Sequence, residues 1–371
     1  MAYKVIQWGA GYTGRYGLRL VLANPALELV ALKVATKAKD GKDAGELVGR
    51  APVGVKATRD AEEVLGIEAD CVVFMPRDPL GDPTIAGSPA EEAWMTDIER
   101  ILRSGKNVVS PLAPPTHYTH FADGETFRKR IDAACEEGNT SAFFSGLDPG
   151  FLSDALAVTM AGAVSEITAI RTWEILDYGN YTELETMQAL GFGIAPERLD
   201  AAALGVIKPT WGGSIHLMAQ ALRAEVDVME IEPDMYVSPE TFTTTGGMVI
   251  EAGTIGAMRW RLVGMVGGEP KLSINHISRM SPQMAPDWPK MGEQGGYRIE
   301  IDAFPPFVGH FPMALPGGTG SSFDDALVMT AARCINAIEP VVAATPGYKT
   351  FLDLPPLTGQ NALAHSAGPV G

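Results

Sequence analysis

The chain has 371 residues, 46% hydrophobic and 20% charged, which places it in the globular class with apolar mass for two or three domains. Its 29 Lys and Arg stand against 45 Asp and Glu, a net charge of −16, which argues against a general nucleic-acid binder. No apolar run has the roughly 20 residues of a membrane span, since residues 151–170 are interrupted by Asp154 and Glu166. No signal peptide is expected either, because the apolar run beginning at Val5 gives way to Gly9. Cys71, Cys135 and Cys334 are odd in number, lack metal-site spacing and fit a reduced cytoplasmic protein.

In chain order, residues 4–8 and 28–34 read as short apolar strands. Between them Leu18, Val21 and Leu22 share one face of a helix that ends at Asn24-Pro25. A weaker strand is expected at 53–57, and another at 71–75 running into Pro76. Ser88, Pro89 and Glu91 carry a helix-start pattern, with the stop at Gly105 after Arg103. Strand 107–110 follows, then a helix with Phe127, Ile131 and Ala134 on one side and Gly138 at its end, then strand 141–145. Strands alternating with amphipathic helices predict an α/β fold, a doubly wound parallel Rossmann sheet.

After Gly150 the pattern changes. A helix-like stretch, 151–163, precedes segments at 167–176, 256–266, 270–279 and 297–303, whose alternation predicts an open antiparallel sheet. Long Gly- and Pro-rich loops are expected at 192–214 and 281–296. From Ser322 a helix returns with Leu327, Ala331, Ile335 and Ile338 at helical spacing, and it is expected to pack back on the first domain. The division is therefore 1–148 plus 323–371 for a Rossmann cofactor domain and 149–322 for an α+β domain that binds substrate and dimerises.

Strand 4–8 leads into Gly9-Ala10-Gly11-Tyr12-Thr13-Gly14 and then a helix, the strand–turn–helix setting in which GxGxxG binds a dinucleotide. Gly9 permits the turn, Gly11 the approach of backbone to diphosphate, and Gly14 close packing of helix on strand. Tyr12 and Thr13 offer free NH groups, and Arg15 adds a cation. A purely structural glycine turn is the alternative. At the end of the second strand, where a ribose-binding acid is expected, stand Lys33, Thr36, Lys37 and Lys39, with no acid before Asp40. Thr36 and Lys37 suit a 2′-phosphate, so NADP is expected over NAD, unless these lysines are only a solvated loop.

Ligands of open α/β sheets bind beyond the carboxyl ends of the strands. That rule picks out Pro76 after the fourth strand, Ser110, Pro111 and Leu112 after the fifth, and Asp148-Pro149 at the domain hinge. His117 stands near enough to the fifth strand to transfer a proton. His117 and His120 lack a third metal ligand, so no metal is expected. Trp173, Glu174, Tyr178, Tyr181, Glu183 and Glu185 mix aromatic walls with acids, as a small-molecule pocket requires, with core and surface roles as the plainer alternative. There is no GxSxG elbow, P-loop or zinc-protease motif, and hydride transfer needs none.

The segments Val5–Arg15, Gly41-Lys42-Asp43-Ala44-Gly45-Glu46-Leu47, Asp148-Pro149-Gly150-Phe151, Gly191-Phe192-Gly193, Asn275-His276-Ile277-Ser278-Arg279-Met280, Asn336-Ala337-Ile338, Pro346-Gly347 and Asp353-Leu354-Pro355 together carry a resemblance. The chain resembles the 2,4-diaminopentanoate dehydrogenase and native amine dehydrogenase family, whose amino-terminal domain is dihydrodipicolinate-reductase-like. The resemblance implies a Rossmann domain joined to an α+β domain, a homodimer, an NAD(P) cofactor, and reductive amination of carbonyls or oxidative deamination of amines. It also implies a glutamate just after the fifth strand to hold the ammonium or iminium. Here Val109–His117 contains no acid, which leaves Glu174, Glu183 or Glu185 to take that place from the second domain.

The function expected is thus hydride transfer between NADP and a C–N carbon of a small hydrophobic molecule. His117, Tyr178 and Glu183 are the catalytic candidates, and Leu112, Trp173 and Tyr181 line the substrate. Ammonia-independent reduction of a ketone or oxidation of an alcohol, reduction of a C=C bond, and a non-catalytic NADPH sensor are the alternatives.

Overall fold

The computed structural model describes residues 2–76, 89–112, 124–182, 184–199, 204–205 and 207–361. Seven parallel strands form the first sheet. They are β1 (Tyr3–Trp8), β2 (Leu27–Lys33), β3 (Ala57–Thr58), β4 (Cys71–Phe74), β5 (Asn107–Ser110), β6 (Ser141–Phe144) and β15 (Gly347–Lys349), in the order β15-β6-β5-β4-β1-β2-β3. Residues alternate between two apolar layers because successive side chains in a strand point to opposite faces. On one face Val5, Val73, Val109 and Phe143 pack against Leu18 and Val21 of α1 (Tyr12–Ala23), against α8 (Ser322–Ile335) and against α9 (Ile338–Val342). On the other, Ile6, Trp8, Val72, Phe74 and Phe144 meet Ile98 and Ile101 of α3 (Pro89–Arg103) and Phe127 and Ile131 of α4 (Gly124–Gly138). Each fully buried Leu, Ile or Phe contributes about 1.5–3 kcal/mol to this association.

Several sequence expectations shift. The strand placed at 53–57 is only Ala57–Thr58, after a loop pinned by Asp43, whose carboxylate accepts from the NH groups of Gly45, Val53 and Gly54. Helix α4 ends at Gly138 as expected, where a Cβ would lie 1.9 Å from the Leu102 carbonyl oxygen, and left-handed Asn139 (φ 52°) follows it. The Ser88 cap lies outside the described residues. Within the carboxy-terminal segment, residues 347–349 add an unforeseen strand beside β6.

The second sheet has the order β14-β13-β7-β12-β11-β8, made of β7 (Ser165–Asp177), β8 (Val228–Val237), β11 (Ile255–Val266), β12 (Glu269–Arg279), β13 (Gly295–Phe304) and β14 (Phe307–Pro312). It is mixed rather than antiparallel. β7 and β12 run parallel at its centre, because the chain covers β8 and β11 before it returns as β12. Its inner face is covered by α5 (Leu156–Ala161) and α7 (Ile207–Ala221), which share a core with Ile170, Leu262, Leu272 and Ile274. α7 occupies part of the expected 192–214 loop. Pro209 is tolerated in its first turn, and Gly212 and Gly213 are buried, so packing overrides their poor helix propensity. Among the described residues, no helix is long and apolar enough to cross a membrane.

The glycine turn shows which position is structural and which is open. Gly9 has φ +102°, and a Cβ there would lie 2.2 Å from the Met75 carbonyl oxygen. Buried Gln7 braces the turn from below, its Nε2 donating to the Gly9 carbonyl at 2.9 Å. At Gly11 a Cβ would meet nothing within 4 Å. Gly9→Ala should therefore destabilise the protein by about 2–4 kcal/mol. Gly11→Ala should leave the melting temperature almost unchanged yet weaken dinucleotide binding. Thermal melts paired with calorimetric titration check this, and a low melting temperature for Gly11→Ala would contradict it.

Candidate active site

The functional centre is built from one register line across the second sheet. Tyr297 on β13 faces Glu174 on β7, Glu174 faces His276 on β12, and His276 faces Trp260 on β11. All four belong to the inward-pointing set of their strands, so four segments far apart in sequence deliver a phenol, a carboxylate, an imidazole and an indole side by side. Asp148 reaches the same place from the first domain. It lies in the turn after β6, followed by cis Pro149 and by Gly150 (φ +136°).

Each polar group is tied to the next. The hydroxyl of Tyr178, just after β7, donates to Glu174 Oε1 at 2.6 Å, and the Tyr297 hydroxyl donates to Oε2 at 2.8 Å. His276 Nδ1 lies 3.4 Å from Glu174 Oε1, and Nε2 lies 3.1 Å from Asp148 Oδ2 at an angle off the line of a good hydrogen bond. Asp148 Oδ1 accepts from Trp211 Nε1 of α7 at 2.7 Å. The imidazole stacks on Trp260 (4.1 Å between centroids, 19°) and meets Trp211 edge-on (4.8 Å, 73°).

Burial works against the charged form of His276, but the carboxylates of Glu174 and Asp148 on either side outweigh it and raise its pKa. Indole faces add to the stabilisation of an imidazolium. Burial likewise raises the pKa of Glu174, opposed by the His276 charge and by both tyrosine hydroxyls. Phenol hydroxyls lie within hydrogen-bond distance of both Glu174 oxygens, so each carboxyl oxygen has a polar partner in the dry interior. Burial first, and the Glu174 charge next, push the Tyr178 and Tyr297 hydroxyls well above the usual phenol range. The cluster therefore sets two acidic side chains against one imidazole in a place shielded from water. Asp148, Glu174 and His276 lie close enough together to ligate a metal. However, both imidazole nitrogens already face carboxylates, and ion pairing accounts for the arrangement.

The candidate dinucleotide end is the amino terminus of α1. Gly11 caps that helix without a side chain, and no acid occupies the first turn, so the NH groups of Tyr12, Thr13 and Gly14 form an anion cradle. Pro76 abuts Gly9. The Arg15 guanidinium stands over the rings of Tyr12 and Tyr16 and donates to Asp324 of α8 at 3.1 Å. Thr36 and Lys37 lie in the exposed turn after β2, where Lys39 Nζ donates to the Ala10 carbonyl. Arg59, unnoticed in the sequence, joins them there with Nε on the Ala35 carbonyl at 3.1 Å.

The other singled-out residues fall in several places. Ser110 is buried, with its hydroxyl donating to the Phe74 carbonyl at 2.7 Å, and Pro111 follows it beside Gly146. Leu112 is buried in the core with Trp8 and Phe74. Trp173 points to the opposite face of the sheet from Glu174, its Nε1 on Glu300 Oε2 at 3.3 Å. Tyr181 packs on Tyr12 and Phe323, and Glu185 is exposed on α6 (Leu184–Ala189). His117 and Glu183 lie outside the described residues. Asp148, Glu174 and Tyr178 are thus brought together, and Tyr297, His276, Trp211 and Trp260 join them. Of those four, His276 stood in a segment quoted for the resemblance without a role, and the others had no motif beyond inward parity in their elements.

A second buried acid lies beside this centre. Asp154, in the π-turn Phe151–Ala155, accepts from Ser214 Oγ at 2.7 Å, and burial pushes its pKa up to about 7 despite that bond and the nearby Arg333. A raised folded-state pKa gives stability that is whole below the unfolded value near 4 and is lost as pH rises to 7, about 4 kcal/mol in all. Asp154→Asn removes the charge, its oxygen still accepting from the Ala155 NH and its NH2 donating to Ser214 Oγ in place of the reverse bond. Its melting temperature should exceed that of the parent by several degrees at pH 8, with the gap closing toward pH 4.5. A gap independent of pH would contradict this.

The family model for the 2,4-diaminopentanoate dehydrogenase C-terminal domain matches residues 151–366. An amine dehydrogenase of Streptomyces virginiae is 36% identical over 359 residues, covering 95% of this chain and 96% of its own. The 2,4-diaminopentanoate dehydrogenase of Acetoanaerobium sticklandii is 24% identical over 264 residues, 70% of this chain and 69% of its own. Among solved structures, the amine dehydrogenase from Mycobacterium smegmatis superposes with a TM-score of 0.76 at 16% identity, covering 97% of this chain and 98% of that one. An oxidoreductase from Agrobacterium radiobacter, in complex with NAD+, L-tartaric acid and magnesium, gives 0.51 at 11% identity, with 94% and 92% covered. At these identities the structural matches speak for the fold.

Proposed function

Because the chain belongs to the 2,4-diaminopentanoate dehydrogenase and amine dehydrogenase family, we propose that Glu174 is the carboxylate that pairs with the ammonium or iminium group of the substrate. The protein is an oxidoreductase acting at an amine carbon with a nicotinamide cofactor. The bound nicotinamide supplies the hydride in reductive amination and accepts it in deamination. The chain's own residues must therefore hold a cation next to the reacting carbon, move protons and exclude water. A buried carboxylate in a dry site stabilises such a cation by several kcal/mol. Glu174 is the observation that carries this reading, since it is a buried carboxyl beside His276 and, through it, Asp148 beyond the carboxyl end of β6, where ligands of this fold bind.

Tyr178 stands between Glu174 and the first domain, and its hydroxyl is placed to relay a proton from the nitrogen to Glu174 Oε1 as ammonia adds, and to return it to the leaving hydroxyl as water departs. Asp148 and His276 stand behind it and hold the Glu174 carboxyl in place. The absence of an acid in Val109–His117 is then no obstacle to amine chemistry, because the second sheet provides one, and an ammonia-independent alcohol reaction loses its support.

We read the cofactor as NADP. Lys37, Lys39 and Arg59 gather at the end of β2, while the Asp40 carboxylate is taken by the Arg59 backbone NH at 3.2 Å. Gly11 and the α1 terminus fit the diphosphate. We also read the assembly as a homodimer through the outer face of the second sheet, where Trp173, Arg171, Arg298 and Glu300 form a self-complementary row without a covering helix among the described residues. Three free, buried cysteines fit a cytoplasmic setting.

Purified protein should oxidise NADPH in the presence of ammonia and a hydrophobic ketone or aldehyde, with turnover rising with ammonia concentration. Glu174→Gln should lower kcat/KM by about 10²–10³-fold, whereas Arg59→Ala should weaken NADPH binding about tenfold and leave NADH untouched. Ammonia-independent turnover, or full activity in Glu174→Gln, would overturn the reading. Light scattering should give twice the 39.4 kDa chain mass, and a single chain mass would remove the dimer from it.

A further inference from the structure

The amino-terminal turn of the cofactor helix is physically joined to the strand that carries Glu174. Tyr12, inside the glycine motif, turns its side chain out of the first domain. Its hydroxyl lies 3.1 Å from Thr182 Oγ1, and its ring meets Tyr181 edge-on at 5.7 Å and Phe323 at 6.0 Å. Phe323, in the first turn of α8, also contacts Tyr181 at 4.5 Å and Tyr178 at 5.7 Å. Tyr178 holds Glu174. From the helix end that cradles the diphosphate to the reacting carboxylate there are thus two side-chain steps, Tyr12 to the 178–182 turn and Tyr178 to Glu174.

The other connections of this turn make it stiff. The Tyr178 NH donates to the Arg279 carbonyl at 2.7 Å, and the Gly179 carbonyl accepts from the Gly246 NH and the Thr245 hydroxyl. A Cβ at Gly179 would lie 2.6 Å from the Met280 carbonyl oxygen. Asn180 Nδ2 donates at 2.6 Å to Ser321 Oγ, which in turn caps α8 by accepting from the Asp324 NH. Arg15 and Tyr16 of α1 both donate to the Asp324 carboxylate. Three pieces, the first turn of α1, the 178–182 turn and the first turn of α8, therefore close a ring of contacts at the junction of the two domains.

We propose that Tyr12 is a positioning residue that couples dinucleotide binding to the placement of Glu174 and Tyr178. An anion on the free NH groups of α1 fixes the first turn of that helix, including the Tyr12 backbone. The Tyr12 side chain transmits that order to the 178–182 turn, since a ring packed between Tyr181 and Phe323 moves only with them. A coupling of this kind is a free energy shared by two sites through a packed element, and it acts in both directions. The role assigned to Glu174 rests on the proposed function; the mechanical link does not.

Hydrogen–deuterium exchange separates the two. NADPH added to the parent protein should slow exchange in residues 9–15 and also in 172–182. In Tyr12→Ala the protection of 9–15 should persist while that of 172–182 is lost, and Thr182→Val should show a partial loss. At saturating NADPH, Tyr12→Ala should raise the ammonia KM at least fivefold, beyond any change in NADPH affinity measured by calorimetry. Circular dichroism with an unchanged melting profile excludes a folding defect, and Tyr12→Phe, which keeps the ring, should recover most of the 172–182 protection. Equal protection of 172–182 in parent and Tyr12→Ala, or none in the parent, would overturn the proposal. If the parent lacks ammonia-dependent turnover but shows the exchange pattern, the coupling stands and the assignment of Glu174 falls.

Discussion

A carboxylate withdrawn from water must be paired, and that requirement organises the middle of this molecule. Glu174 sits in the interior of a sheet, between Thr172 and Leu176 along its strand, where an isolated charge would cost several kcal/mol. Two phenols and an imidazolium surround it, and the imidazolium needs a second carboxylate, which the turn after β6 supplies as Asp148. One demand for neutralisation thus draws in residues from β7, β12 and β13 and from the other domain. It makes the domain junction a place of fixed charge rather than a plain apolar seam.

The same arrangement explains how a sheet with a hydrophobic inner face presents a polar centre. The stripe of Tyr297, Glu174, His276 and Trp260 occupies a single register line, and the positions next along each strand are Ile299, Thr172, Ile274 and Leu262, which return to the core. Trp211 and Trp260 close two sides of the imidazole. Low local dielectric then strengthens every attraction within the cluster.

Much of the first domain was legible in the sequence because its signals are local. Short apolar strands, the glycine turn and amphipathic helices such as α1 and α4 each declare themselves within a dozen residues. The strand at 347–349 did not, since three residues carry no periodicity and only the open edge of β6 makes them a strand. In the second domain the helical state of 207–221 was hidden by Pro209, Gly212 and Gly213, whose local preference is overridden by burial against the sheet. The active centre was half visible. Glu174 and Tyr178 stood out as an acid and an aromatic in one segment, and Asp148 by its place after the sixth strand. His276 and Tyr297 did not, because what aligns them with Glu174 is the pairing of β12 and β13 with β7, a long-range register that no local pattern encodes.

The most direct test is a crystal structure of the protein with NADP and a bound amine. The account predicts that the amine nitrogen lies within hydrogen-bond distance of the Glu174 carboxylate or the Tyr178 hydroxyl, with its carbon facing the nicotinamide. An amine held by some other acid, with Glu174 still sealed between its tyrosines and out of reach, would contradict it.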